Sequence, residues 1–204
     1  MNEKSKSDII NLRRSQLTKA AYQVVSRKGY YNFTIKDIAK EAGLSTGLVH
    51  YYFKDKQDLL FNLLKEMNSN LKIYLNKSIS QSDSPVEKLV IFIRQAFDLV
   101  VNEKDYSYVL FDFWTQINRN EKMKKANIKL FQSYRDECSK ILREGIDKGI
   151  FWDLDVSYYT AIIISLIQGM VIQCVIDKDA FDYIDYSGRI IEQIKSFVMK
   201  KNEV

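Results

Sequence analysis

The sequence predicts an all-α protein, and two observations carry the prediction. The 204 residues include one proline and seven glycines, too few for the turns that a β-sheet protein requires. Apolar side chains recur at helical spacing along most of the chain, and capping residues stand between the repeats. We expect an amino-terminal domain of three helices, followed by a larger helical domain.

The first helices are placed by their apolar spacing and by their capping residues. A helix is predicted over residues 8–28, where apolar residues recur at i, i+3, i+4 and i+7 and Gly29 provides a stop. Thr34 begins TIKD, a variant of the capping box, so a second, short helix is predicted up to Gly43. Ser45 can cap a third helix that ends near residue 53.

The remaining helices follow from similar signals. Asp55 can cap a fourth helix over residues 56–78, and Pro85 suits the first position of the next one. The later helices are predicted at residues 85–103, 106–118, 121–148, 155–177 and 182–200.

Positive charge is concentrated at the amino-terminal end. Residues 1–56 contain eleven Lys and Arg against five Asp and Glu, a net charge of +6, whereas the whole chain carries +5. A basic module on a nearly neutral body suggests a polyanionic partner, although a solvated basic surface would have the same charge. We place the domain boundary between residues 1–55 and residues 56–204.

The stretch GLSTGLVHYYFKDK, residues 43–56, has the composition of a DNA-reading helix. Two short helices joined at a glycine form a helix-turn-helix pattern, in which the second helix enters the major groove. Val49 and Phe53 are predicted to face inward. The small residues Ser45, Thr46 and Gly47 would allow close approach to DNA. Glycine destabilises a helix relative to alanine, and close approach of a partner would account for its presence at position 47. Leu48 and His50 would face outward with Thr46 and Gly47.

Residues 33–60, FTIKDIAKEAGLSTGLVHYYFKDKQDLL, resemble the DNA-binding domain of TetR-family transcriptional regulators. The similarity covers the IAKEAG helix, the STG that opens the next helix, and the aromatic residues before KDK. It implies two sets of DNA contacts. The residues expected at phosphates are Thr34, Lys36, Tyr51, Tyr52 and Lys56, with Thr46, Gly47, Leu48 and His50 along the bases.

The resemblance also implies a function. We expect a homodimeric regulator, most simply a repressor, that binds a palindromic operator in double-stranded DNA and is released by a small-molecule effector. In the family, ligand binding shifts the fourth helix and separates the DNA-reading helices. The alternative is a helical chromosome organiser that binds DNA without sensing a metabolite.

Other classes of function have little support in the composition. The single histidine, His50, already belongs to the candidate DNA helix, which argues against metal and Ser-His or Cys-His catalysis. We therefore expect no enzyme activity, metal or cofactor. The chain opens on a polar segment, and its most apolar stretch, residues 161–176, is shorter than a membrane span requires. A cytoplasmic protein with no membrane partner and a buried helix at 161–176 is predicted.

The last two predicted helices carry more apolar surface than a single chain of this size can cover. A symmetric four-helix interface between two copies would cover it, with complete burial within one subunit as the alternative. The residues expected at this interface are Ile164, Gly169, Ile172, Ile190, Ile194 and Phe197.

Aromatic residues are dense between positions 85 and 148. Such side chains are commonly plain core, but here FDFWTQ sets polar groups among rings, as ligand pockets do. The residues predicted to line an effector pocket are Phe97, Tyr106, Phe111, Trp114, Phe131 and Tyr134. The STG and FW segments also resemble choline-sensing members of the family. In that case rings beside a carboxylate such as Asp112 would hold a quaternary ammonium.

Overall fold

The computed structural model describes residues 3–102 and 104–200, with the side chains of residues 7–99 and 105–200. Within these ranges the chain forms nine helices and no named strand, which confirms the predicted all-α fold. The helices are α1 (Glu3–Lys28), α2 (Ile35–Ala42), α3 (Thr46–Tyr52), α4 (Lys56–Ile79), α5 (Pro85–Asn102), α6 (Lys104–Trp114), α7 (Glu121–Asp147), α8 (Val156–Ile176) and α9 (Tyr183–Val198).

Helix α1 begins five residues earlier than predicted, at Glu3, and α6 stops four residues before its predicted end at residue 118. Helix α6 ends early because of the way α7 begins. The side-chain oxygen of Asn120 accepts hydrogen bonds from the backbone nitrogens of Lys122 at 3.0 Å and Met123 at 3.2 Å. The chain must leave the preceding helix to place Asn120 in this capping position.

The chain divides into two compact units, Met1–Asn70 with Tyr108–Asn127, and Leu71–Ser107 with Ile128–Val204. Helices α4, α6 and α7 each contribute residues to both units. This division differs from the boundary expected after residue 55. The reason is that α4 buries Leu59, Leu60, Leu63 and Leu64, so its first half belongs to the amino-terminal core.

The first unit is organised around α1, which packs against α2 and α3, while α2 packs against α3. The buried face of α1 has the spacing that the sequence predicts, and α2 and α3 supply short apolar faces. Its buried residues include Leu17, Ala21, Val24, Ile38, Ala39, Val49, Phe53, Val109 and Phe113.

In the second unit, α5 packs against α8 and α9 around a core to which α7 also contributes. The link between α7 and α8 is tied to the end of α9. Trp152 donates its backbone N–H to Val198 at 2.9 Å, and Lys200 donates to Ile150 at 3.1 Å. Phe151, between these two bonds, is fully buried in the core.

Helix α8 matches its predicted range of 155–177 to within one residue at each end but differs from its prediction in burial. It has 21 residues, which is long and apolar enough to cross a membrane by length and composition, and 17% of its most apolar window is buried. Only Thr160, Ile163 and Ile167 are buried along it. The expectation that the apolar stretch 161–176 is buried is therefore corrected, because one apolar face of α8 lacks cover from its own described chain.

Candidate nucleic-acid interface

Helix α2 is fixed at both ends by the residues that the sequence singled out. The Thr34 side chain accepts from the backbone nitrogen of Asp37 at 3.2 Å, and Asp37 accepts from the Thr34 backbone at 2.8 Å. Gly43 ends the helix with φ of 67°, a left-handed conformation that favours glycine. These caps set the tight turn into α3, whose first free N–H groups are capped by Ser45.

The start of α2 is also tied to the end of α1. Lys28 donates to Asp37 at 2.7 Å. This bond, with those from Thr34, lowers the pKa of Asp37 from 3.8 to about 2.

We expect the Asp37 interactions to appear in the pH dependence of stability. The folded-state pKa lies below the unfolded one, so the ionised carboxylate stabilises the fold above pH 3.8, and this contribution is lost as the pH falls through about 2. Replacing Asp37 with Asn should lower the unfolding temperature at pH 7, with the two proteins converging near pH 2. Circular dichroism gives the unfolding temperatures of both proteins at each pH. If the two unfolding temperatures differ equally at pH 7 and at pH 2, Asp37 is not the source of the pH dependence. The control is Asp98→Asn, at an exposed position of α5.

Helix α3 separates the inward and outward residues as the sequence predicts. Val49 and Phe53 are buried, at 0% and 1% exposure. The residues on the outward face are exposed, and they are Thr46, Gly47, Leu48 and His50. The face predicted to lie along the bases is therefore available to a partner, while contact of these residues with DNA stays a prediction.

Gly47 has no role in the packing of its own chain. A Cβ atom built there would meet only the Ser45 hydroxyl oxygen, at 3.9 Å, which is ordinary van der Waals contact. The backbone does not require glycine either, because its φ lies outside the left-handed region. The described structure would therefore tolerate a larger residue at this position, and close approach to DNA stays a prediction.

Four of the five residues expected at phosphates keep their polar groups at the surface or near it. Thr34, Lys36 and Tyr51 are exposed, and Tyr52 is half-buried. The rings of Tyr51 and Tyr52 pack edge to face with centroids 4.9 Å apart, which limits the positions of both hydroxyls.

Lys56, the fifth, is engaged within the protein. Its ammonium donates to the carbonyl oxygens of Tyr31 at 3.1 Å and Phe33 at 2.9 Å, and lies 3.8 Å from the centroid of the Phe33 ring. Burial lowers the pKa of Lys56. The described role of this lysine is to hold the turn between α1 and α2 against the start of α4, and we leave it out of the proposed phosphate contacts.

The same turn is held by residues of the FDFWTQ segment, which covers the end of α6 and the two residues after it. The backbone nitrogen of Tyr30 donates to Asp112 at 3.0 Å, and the Tyr31 hydroxyl contacts the Gln116 side chain at 2.7 and 3.0 Å. The Tyr30 ring packs edge to face on Phe113. One carboxylate oxygen of Asp112, Oδ2, therefore accepts a hydrogen bond from the backbone of this turn. Sequence spacing offered no signal for these contacts, since they join positions more than 80 residues apart.

The residues predicted to line a pocket are divided between the two units. Phe111 and Trp114 belong to the first unit, with ring centroids 5.5 Å apart. Phe97, Tyr106, Phe131 and Tyr134 belong to the second, where Phe97 is buried in the core and Tyr134 packs against it. Burial raises the pKa of Tyr134, and Tyr106 raises it further, so the phenol remains neutral.

Five of the six residues predicted for the dimer interface retain exposed surface. Phe197 is exposed, and Ile164, Gly169, Ile172 and Ile190 are half-buried. Ile194 is different, because its side chain is fully buried at 0% exposure in the core of its own unit. Helical spacing placed Ile194 on the apolar stripe of α9. This stripe is wide, and the residues along one of its edges pack into the core of the same subunit.

Comparisons with known proteins identify the families that the two parts of the chain resemble. Residues 17–63 match the model of bacterial regulatory proteins of the tetR family, and residues 85–199 match that of the carboxy-terminal domain of BetI-type transcriptional repressors. The second match covers more than half of the chain. It includes α8, so this apolar helix is part of the carboxy-terminal domain that the match describes.

Relatives match along nearly the full length. The fatty acid metabolism regulator protein of Bacillus subtilis is 27% identical over 190 residues, covering 91% of this chain and 95% of that one. The crystal structure of FadR from Bacillus subtilis with stearoyl-CoA is 27% identical, with a TM-score of 0.73 over 88% of this chain and 96% of that one. A regulator from Saccharomonospora viridis, crystallised with choline, shares the fold at 22% identity, with a TM-score of 0.84 over 92% of this chain and 98% of that one. Both halves of the chain thus match regulators of one kind, and the protein belongs to the TetR family of transcriptional regulators.

Proposed function

We propose that the protein is a cytoplasmic repressor that binds a palindromic operator as a homodimer and is released by a small-molecule effector. The observation that carries the DNA-binding part is the exposed face of α3, where Thr46, Gly47 and His50 point away from a buried Val49. The match of residues 85–199 to BetI-type repressors supports repression rather than activation.

The dimer is supported by apolar surface on α8 and α9. Leu166, Ile176 and Ile184 are 38%, 74% and 72% exposed. A Cβ atom at Gly169 would meet nothing within 4 Å, which leaves room for a second helix. An apolar face of this kind marks a protein contact, and two-fold pairing covers the same face on both copies. Two-fold symmetry would place two copies of α3 about 34–36 Å apart, matching successive major grooves on one face of the DNA.

Leu166→Asp is expected to dissociate the dimer. Each dimer would bury two unpaired carboxylates, at a cost of several kcal/mol. We expect the wild type to sediment as a dimer at micromolar concentration and the variant as a monomer with weakened binding to the palindrome. The matched control is Ile73→Asp, the same kind of change at an apolar residue of α4 that is 62% exposed. A dimeric Leu166→Asp protein, or equal losses in both variants, would place the interface elsewhere.

For the effector, we propose a fatty acyl compound bound in the second unit. The 27% identity to a regulator crystallised with stearoyl-CoA supports this class. Phe97, Tyr106, Phe131 and Tyr134 supply apolar surface, and a neutral Tyr134 can donate a hydrogen bond to an acyl oxygen. Choline, bound by the relative from Saccharomonospora viridis, is the competing class, but that relative is 22% identical and shares the fold alone.

The experiment that tests the proposal titrates stearoyl-CoA and choline, with and without the operator. The operator is first selected from a random duplex pool by the wild-type protein. We expect stearoyl-CoA to weaken operator binding about 5- to 150-fold, and the operator to weaken stearoyl-CoA binding by the same factor, because coupling is reciprocal. Calorimetry and fluorescence anisotropy measure the two affinities. If choline weakens operator binding and stearoyl-CoA does not, the acyl class is wrong. If neither ligand weakens it and many unrelated duplexes bind equally, the chromosome-organiser alternative is favoured.

A further inference from the structure

The carboxy-terminal end of α3 is held by a side chain from outside the helix-turn-helix. Arg14, a half-buried residue of α1, donates from Nη1 to the carbonyl oxygen of Tyr52 at 3.1 Å. Its other terminal nitrogen, Nη2, donates to the side-chain oxygen of Asn62 on α4 at 3.0 Å. The guanidinium carbon lies 4.7 Å from the centroid of the Phe53 ring. One side chain thus contacts the last residue of α3, its capping residue, and α4.

The contact with α4 continues into the turn between α3 and α4. Asn62 donates to the backbone and side-chain oxygens of Asp58, at 2.8 and 3.1 Å. Asp58 in turn accepts from the backbone nitrogen of Lys54 at 3.1 Å and donates its own to Asp55 at 2.8 Å. Arg14 is therefore joined by hydrogen bonds to the turn that carries the end of α3.

Helix α3 depends on such contacts because it is short. Its seven residues are too few to form a stable helix alone, and its last carbonyl groups have no partner within the helix. Ser45 serves the amino-terminal end through a bond from the Leu48 nitrogen at 3.2 Å. At the other end, Arg14 satisfies the Tyr52 carbonyl and places a positive charge at the negative pole of the helix dipole.

We propose that Arg14 is a positioning residue for sequence-specific DNA recognition, acting through the orientation of α3. The inference rests on the proposed function, in which α3 lies along the bases. Arg14 lies outside residues 17–63, the segment that matches the family's DNA-binding model. Two of its nitrogens are bound to protein oxygens, so its described role is internal and differs from that of a phosphate contact.

The physical consequence is a loss of specificity rather than a uniform loss of affinity. Base contacts require atoms at fixed positions in the groove, whereas long side chains at phosphates adjust to a small tilt of the helix. Lysine retains the charge of Arg14 but lacks the planar fork that reaches two acceptors at once. Arg14→Lys should therefore loosen α3 without changing the net charge of the domain.

The test compares the operator, selected from a random duplex pool by the wild-type protein, with a scrambled duplex of the same composition. We expect Arg14→Lys to lower the ratio of the two affinities about tenfold, the discrimination of one good base contact. We expect Arg14→Gln to leave the salt dependence of binding unchanged, since a lost phosphate contact would reduce the slope by about one unit. Lys19→Gln, at an exposed position of α1, controls for the loss of one charge.

A second variant covers the possibility that Arg14 variants fold poorly. Asn62→Ala removes one acceptor of Arg14 and leaves its charge in place, so it should lower the affinity ratio in the same way, and the double variant should lose little more. All proteins are compared at a temperature at which circular dichroism shows them folded. A wild-type ratio in Asn62→Ala and in any folded Arg14→Lys protein would overturn the inference, as would a reduced salt slope in Arg14→Gln. If the wild-type protein selects no sequence, the proposed function fails and this inference fails with it.

Discussion

Replacing Gly47 with arginine should abolish sequence-specific DNA binding while leaving the fold intact. The position is exposed, and an added Cβ meets only the Ser45 hydroxyl, at 3.9 Å. A long side chain there would instead separate α3 from the bases. Because specific complexes are at least about 1,000-fold tighter than non-specific ones, operator affinity should fall by that factor, to the level of a scrambled duplex. Fluorescence anisotropy gives the affinities, and thermal unfolding should show an unchanged midpoint.

Two control variants separate this steric effect from that of charge. Gln23→Arg adds the same charge at an exposed position of α1 outside the proposed contact surface, and should retain specific binding. Lys36→Ala should weaken binding to both duplexes and reduce the salt slope by about one unit, as expected for a phosphate contact. A Gly47→Arg protein that still prefers the operator would show that α3 does not approach the bases at this residue.

Gly145→Ala should be strongly destabilising, although alanine is the better helix former. A Cβ atom at Gly145, near the end of α7, would lie 2.0 and 2.3 Å from two ring carbons of Phe151, and that ring is fully buried. Alanine would gain about 1 kcal/mol in helix propensity. The clash costs more than this, because overpacking costs about 1–3 kcal/mol or more and the ring has no free space to enter. We expect a net loss of about 2 kcal/mol or more, measured by urea unfolding at fixed protein concentration.

The clash between the Cβ added at Gly145 and the Phe151 ring can be tested by replacing Phe151 with a smaller residue. Combining Gly145→Ala with Phe151→Leu should recover part of the lost stability, so the two changes should be less destabilising together than the sum of their separate effects. Gly188→Ala in α9, where an added Cβ meets nothing within 4 Å, controls for the change from glycine to alanine. If the effects of Gly145→Ala and Phe151→Leu on stability are additive, the Phe151 ring is not the cause of the stability lost in Gly145→Ala.

Residue type and spacing predicted the local structure and the two faces of α3. Thr34, Gly43 and Ser45 determine helix ends through hydrogen bonds with residues at most four positions away. Helical periodicity likewise predicted that Val49 is buried and His50 exposed, because the two faces of α3 follow from its repeat alone. These features depend on neighbours in the chain, so spacing and residue type are enough to predict them.

The roles of residues whose partners are distant in sequence depend on how the helices pack. Lys56 binds carbonyl groups 23 and 25 positions away, Asp112 binds the backbone of Tyr30, 82 positions away, and Arg14 binds Tyr52, 38 positions away. Spacing predicted an interface role for Ile194, but the position of α9 buries it in the core. A side chain's type limits the bonds that it can form, and the packing of helices decides which acceptor comes within hydrogen-bonding distance of it.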